Sequence, residues 1–238
     1  MQHNEGLGGK TAVGALRSGT MTALERVEKA SSALRVFPLP SVVLFPGMAL
    51  PLHIFERRYR DLVKDSLAAD KVMAMSQIEP GQEAEYAERP SLRPMCCAAL
   101  IAWHQELEDG RYNIILQGVA RAQICEELPA RKRYREVRAQ ILCDPAFNGP
   151  EEEQLRQTVF ELAGRLPPAF GQNLLKNAAR MTGGNLADAM AAALVVDIER
   201  RQQLLSELDV RQRLLGVVDE IGELIGRLVP GKAPGPVN

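Results

Sequence analysis

The residues of this chain most able to do chemistry are three histidines, four cysteines and one lysine in a glycine-rich segment. His3, His53 and His104 are scattered and share no ligand spacing, so no metal site is expected. The cysteines are Cys96, Cys97, Cys125 and Cys143, with no C-x-x-C among them. Neighbours in a strand point to opposite faces, which makes Cys96 and Cys97 a poor chelating pair. They are expected to be buried structural thiols in a reducing compartment. There is no G-x-S-x-G, and no cysteine has a histidine placed to activate it, so neither pattern of activated nucleophile is available.

Two further motifs tempt. "GLGGKT" (6–11) ends like a phosphate-binding loop around Lys10, but Asn4 stands where the first glycine is required. That motif also needs a buried strand before it and a helix after it. His53, between Leu52 and Ile54, reads as a hydrogen-bonded structural histidine rather than a base. No catalytic residue, metal or cofactor is therefore expected.

Binding surfaces are the remaining possibility. "RKRYREVR" (131–138) sets five basic residues around Tyr134. On an extended strand Arg131, Arg133 and Arg135 would share one face, with Lys132 and Arg138 on the other. A charged edge strand accounts for this pattern; contact with RNA is the alternative. A formal net charge of −1 gives no global attraction to nucleic acid. Trp103, beside His104, is either a core aromatic or an exposed aromatic of a binding surface.

These residues need elements to hold them. "FPLPSVVLFPGMALPLHIFE" (37–56) carries Pro38, Pro40, Pro46 and Pro51, which argues against a helix or a central strand. Short strands are expected at 34–39, 48–55 and 71–78, with one helix at 57–68. The runs 95–107 and 111–118 flank Glu108-Asp109-Gly110, a strong hairpin signal. Period-two alternation continues through 120–125 and 134–143. After a break at 144–150 the period becomes 3.6. Helices are expected at 151–166 and 168–180, then one capped by Asn185 and a last one started by Asp209. Strands first and helices second indicate an α+β fold.

At 238 residues, 46% hydrophobic and 25% charged, this is ordinary globular material. No apolar run approaches the ~18 residues of a membrane span, and the N-terminus does not read as a secretory signal. A cytoplasmic address is the default expectation.

"FPLPSVVLFPGMALPLHIFERRYRDLV", "LEDGRYNIILQGVARAQI" and "NLADAMAAALVVDIERRQQLLSELDVRQRLLGVVDEI" resemble, in that order, blocks of the Lon protease N-terminal (substrate-binding) domain family. The likeness covers roughly residues 36–225. It departs at Met95-Cys96, where the family often has a glycine. The chain looks like a stand-alone form, lacking the ATPase and serine–lysine protease domains of complete Lon proteases. The resemblance implies a PUA-like twisted β-barrel followed by an α-helical bundle. The corresponding division is 1–33 as a flexible extension with a short helix at 21–34, 34–146 as the β-rich part, 150–229 as the bundle, and 230–238 as a tail.

It also implies a non-catalytic module binding unfolded proteins or peptides, or docking on a protease or chaperone, in protein quality control. A PUA-like RNA-binding protein is the alternative, and a stand-alone peptidase is the reading least supported. Phe37, Leu39, Val42, Leu44, Leu50, Leu52 and Ile54 are expected in the core. Phe45 and Met48 near the turn, with Trp103, are the expected peptide contacts.

Overall fold

The proline-bearing strands show how the sheet is assembled in the computed structural model, which describes residues 21–82 and 89–228. β1 (Leu34–Leu39) pairs with β6 (Arg135–Leu142) over Leu34–Val36, and with β3 (Val72–Gln77) over Val36–Leu39. β1 is thus a central strand despite Pro38. The two pairings are staggered, so Pro38 stands where β6 has already parted, and its missing N–H breaks no ladder bond on that side. β2 (Ala49–Ile54) holds Pro51 and pairs only with the first half of β5 (Tyr112–Glu127), ending the sheet.

β4 (Met95–Glu106) runs antiparallel to both β5 and β3. The strand order is β2-β5-β4-β3-β1-β6, and a further β5–β6 pairing joins five of the strands in a closed cycle. β5 is one strand, not two: the runs on either side of Val119 join through a register shift at that residue. Its turn with β4 uses Gly110 at φ +74°, whose N–H donates to the Leu107 carbonyl at 2.8 Å. A positive φ there favours glycine.

Both faces of the sheet are covered. Cys97, Met73, Met75 and Leu116 pack under α2 (Arg57–Ala68) through Tyr59, Leu62 and Val63. Cys96, Ala98, Ala74 and Val36 pack on the other face with Val27 and Ala30 of α1 (Ala23–Ala30). The short helix expected at 21–34 is α1: a Thr22–Glu25 capping box starts it, and Val27 is fully buried. An amphipathic helix that can cover an apolar sheet face is held there by burial, whatever its position in the chain.

Five helices follow: α3 (Pro150–Ala163), α4 (Pro168–Arg180), α5 (Gly183–Leu194), α6 (Ile198–Ser206) and α7 (Val210–Leu228). Leu155, Val159, Leu162, Leu186, Met190, Leu214, Val217 and Ile221 form their common core. Asp209 caps α7, accepting from Arg211 N–H at 2.8 Å and Gln212 N–H at 3.3 Å. Asn185 caps nothing: α5 begins earlier, at Gly183 with φ +54°. Phe45 and Met95 of the β-rich part belong to this helical core, so the two parts share one apolar interior.

Candidate functional site

Phe45, expected at a contact surface, is only 1% exposed. The turn that carries it is clamped to β5: Gly47 N–H donates to the Gly118 carbonyl at 3.0 Å and Gly118 N–H to the Met48 carbonyl at 2.8 Å. A side chain at Gly118 would collide with the Phe45 carbonyl. This close approach aims the Phe45 ring into the helical core. Met48 is half-buried and packs against two of the apolar clusters. Trp103 is 48% exposed. It follows a register shift in β4 and stands in line with Ile115 of β5, which is in turn opposite Pro51 of β2. Trp103, Ile115 and Pro51 make a partly exposed apolar row that ends at β2.

Beside that strand lies an apolar groove of about 430 Å³ between the end of β1 and the end of β2. Leu39, Pro40, Leu52 and Ile54 line it, with Phe55 at its rim, 61% exposed. His53 stacks on Phe55 at 6.3 Å. The His53 Nδ1 is 2.7 Å from Asn113 Oδ1 and its Nε2 is 3.4 Å from Arg111. A neutral ring protonated at Nδ1 satisfies both contacts: it donates to Asn113 and accepts from Arg111. The hydrogen bonding expected of His53 is present, but the residue is exposed and lines the groove. The sequence offered no sign of this: the lining falls within residues 37–59, but local pattern does not tell which side chains of two short strands and a helix start are left around an open space.

Tyr59 forms a wall of the groove and also of a smaller cavity, about 120 Å³, lined by Arg58, Arg89, Arg133 and Arg135. Glu127 accepts from Arg89 at 2.5 Å and from Arg135. Burial opposes the ionised form of Glu127, yet the hydrogen bonds from Arg135 and Arg89 hold its carboxyl below the ordinary range. Arg133 reaches Asp61 at 3.3 Å, and Arg58 reaches Glu56 at 2.9 Å. The basic run at 131–138 is not one edge strand: residues 131–134 precede β6, which pairs with β1 at its start and with β5 beyond it, and Arg135 is 9% exposed. Tyr134 is buried with its hydroxyl donating to Asp65 at 2.6 Å.

At the seam between sheet and helices lies a charged cluster that periodicity concealed. Arg121 donates to both Asp188 oxygens, at 2.9 and 2.7 Å, and to the Leu205 carbonyl at 2.8 Å. Arg213 lies 3.2 Å from Asp188, pairs with Asp144, and donates to the Glu207 carbonyl at 2.6 Å. Burial pushes the Asp188 carboxyl upward, while the two guanidiniums pull against it. Each charge is matched, and although Arg121 and Asp144 border a depression of about 220 Å³, both are already paired within the cluster. It joins the two parts of the chain.

Of the cysteines, Cys96 and Cys97 are buried on opposite sheet faces, whereas Cys125 and Cys143 are exposed, contrary to expectation. Among the described residues no group of three or more His, Cys, Asp or Glu is placed to hold a metal, and no helix is long and apolar enough to cross a membrane. The Lys10 motif and His3 lie outside the described residues.

The strand cycle with the helical bundle behind it is the fold of Lon N-terminal domains. The family model for the "ATP-dependent protease La (LON) substrate-binding domain" matches residues 33–222, and this chain belongs to that family. The Lon protease of Roseiflexus castenholzii is 34% identical over 190 residues, 78% of this chain but 23% of that protein. The Lon protease of Brucella melitensis is 26% identical over 213 residues, 88% of this chain and 25% of the relative. The chain thus spans about a quarter of the length of these relatives. Two solved structures share the fold. The N-terminal domain of Mycobacterium avium complex Lon protease has a TM-score of 0.64 at 16% identity, covering 80% of this chain and 98% of that one. A Lon N-terminal domain protein from Xanthomonas campestris has a TM-score of 0.57 at 24% identity, covering 79% and 97%.

Proposed function

We propose that this domain is a non-catalytic module that captures exposed apolar segments of other proteins, with protein quality control as its setting. The observation that carries this reading is the groove between β1 and β2. Most of its lining is apolar, Phe55 stands exposed at its rim, and β2 beside it ends the sheet. An extended segment can lie along such an edge and place alternate side chains in the groove. Trp103 and Ile115 extend the apolar surface across β2, so Trp103 remains a proposed contact, and half-buried Met48 a marginal one. A similarly sized depression beside Phe160 is a weaker candidate, because Glu153, Arg156 and Gln157 form much of its wall. The closed cycle of strand pairings supports a PUA-like barrel for the β-rich part.

The test is capture of a permanently unfolded, carboxymethylated protein by the wild-type domain and by Phe55→Asp. Phe55 is exposed, so the variant should keep its melting temperature while losing at least about fivefold in capture, the equivalent of one partly buried aromatic anchor. Equal capture by both proteins would remove the groove from the account.

A further inference from the structure

We infer that Asn148 is a site of spontaneous covalent modification, losing its side-chain amide to attack by the Gly149 nitrogen where the sheet hands over to the helices. The inference is independent of the groove. Asn148-Gly149 is the chain's one Asn-Gly pair. The attack is intramolecular, between groups of neighbouring residues, and glycine brings no Cβ to hinder it. The pair lies outside any helix or strand, between β6 and α3, with Asn148 exposed. Among the described residues, neither the Asn148 side chain nor the Gly149 N–H has a hydrogen-bond partner. Both reacting groups are therefore free to meet. Packing demands the glycine, since a Cβ there would stand 2.5 Å from Glu151 Oε2 and 2.6 Å from the Phe147 ring.

Asp109-Gly110 shows the opposite arrangement. The Gly110 N–H is committed to the Leu107 carbonyl at 2.8 Å, and both Asp109 oxygens accept from Arg111, at 3.0 and 2.5 Å. Nucleophile and target are both held, so this second pair should stay intact. At Asn148 the Gly149 nitrogen, giving up its proton, bonds to Cγ; the Cγ–Nδ2 bond breaks and ammonia leaves. Water then opens the five-membered imide at one of its two carbonyls. Breaking the new N–Cγ bond gives aspartate. Breaking the original peptide bond gives an isoaspartyl linkage, with the main chain running through Cγ and one carbon longer. Gly149 is the N-cap of α3, and Phe147 packs on the helical core beside Gly183. The extra carbon enters between these two anchors, so the isoaspartyl form should be the less stable one.

The test is incubation of the full chain at physiological temperature in mildly alkaline buffer, followed by tryptic mapping of the 139–156 peptide by mass spectrometry. A synthetic peptide of residues 145–151 runs in parallel. The amide should be lost at Asn148 within about tenfold of the peptide's rate, because no local opening must precede the attack. Asp109 should show no isoaspartyl product, and Asn148→Gln should lose no amide over the same period. Asn148→Asp should melt like wild type, and the isoaspartyl fraction below it. An Asn148 amide that persists while the synthetic peptide reacts overturns the site. Isoaspartate forming as fast at Asp109 overturns the structural selectivity, and an isoaspartyl fraction that melts like wild type overturns the coupling to α3.

Discussion

Arg121 of β5 and Asp188 of α5 face each other across the seam in a bidentate pair of 2.7 and 2.9 Å, both side chains at most 2% exposed. Removing one partner of such a pair leaves the other charge buried without compensation, at a cost of about 3–5 kcal/mol. Here Asp188 also faces Arg213, so Asp188→Ala should fall at the upper end of that range in urea unfolding. Asp188→Leu combined with Arg121→Met should cost less than Asp188→Ala alone, because it removes the orphaned charge as well. A larger loss for the double variant would show the pair to be a net source of stability.

Gly184, in the first turn of α5, should resist the substitution that helix propensity favours. Alanine is better than glycine in a helix by about 1 kcal/mol, but a Cβ at Gly184 would overlap the Asp144 carboxylate and the Arg213 guanidinium. Gly184→Ala is expected to lower the melting temperature. Gly222→Ala in α7, where a Cβ meets nothing within 4 Å, should raise stability by about 0.4–1 kcal/mol. The opposite signs of these two changes are the check.

Phe45→Ala should cost about 3–5 kcal/mol, because its ring fills the helical core from the β-rich part. Thermal unfolding followed by circular dichroism is then expected to stay one cooperative transition at a lower temperature, since the two parts share that core. A variant that melts normally but loses client capture would return Phe45 to the binding surface.

Why Phe45 was misplaced bears on how much the chain revealed in advance. The hairpin at Asp109-Gly110, the acidic start of α3 and the apolar stripe of α7 are local patterns, and each forms where its period predicts. The turn at Phe45 is set by a long-range clamp on Gly118, which leaves no local trace. Arg121 misled for a related reason. It alternates with Ala120 and Ala122 as a solvent-facing residue would, but helices cover that face and all three residues are buried. One clue was available: Asp188 is the lone charge in "LADAMAAAL", and a carboxylate in so apolar a helix requires a buried partner. The groove and the arginine cavity had no such clue, since strand ends and α2 meet there only after folding.

Acid should weaken the protein partly through Asp65. Hydrogen bonds from Lys132 and Tyr134 hold its carboxyl below the ordinary value. The unfolded chain therefore takes up the proton first as pH falls. The contribution is complete above about pH 4, the unfolded value, and is lost as pH drops through the lower folded value. At the other extreme, burial pushes the Cys96 thiol up to about 12, so its contribution is present below the unfolded value near 9 and lost as pH rises toward 12. In a series of melts, Asp65→Asn should be less stable than wild type at neutral pH, and the gap should close in acid. A gap independent of pH would contradict this assignment.

The central claim is that the groove between β1 and β2 receives apolar segments, and backbone NMR during titration with an apolar peptide tests it most directly. One side chain contributes about 1.5–3 kcal/mol on burial and association costs on the order of 4–15 kcal/mol. Affinity for a single segment should therefore be weak, in the high-micromolar range or poorer, with avidity left to multiple copies. Fast-exchange shifts are expected to cluster at Leu39, Leu52, His53, Phe55 and Tyr59, reach the Trp103 indole, and disappear in Phe55→Asp. Shifts confined to the surface around Phe160, or a complete absence of shifts at millimolar peptide, would contradict the account.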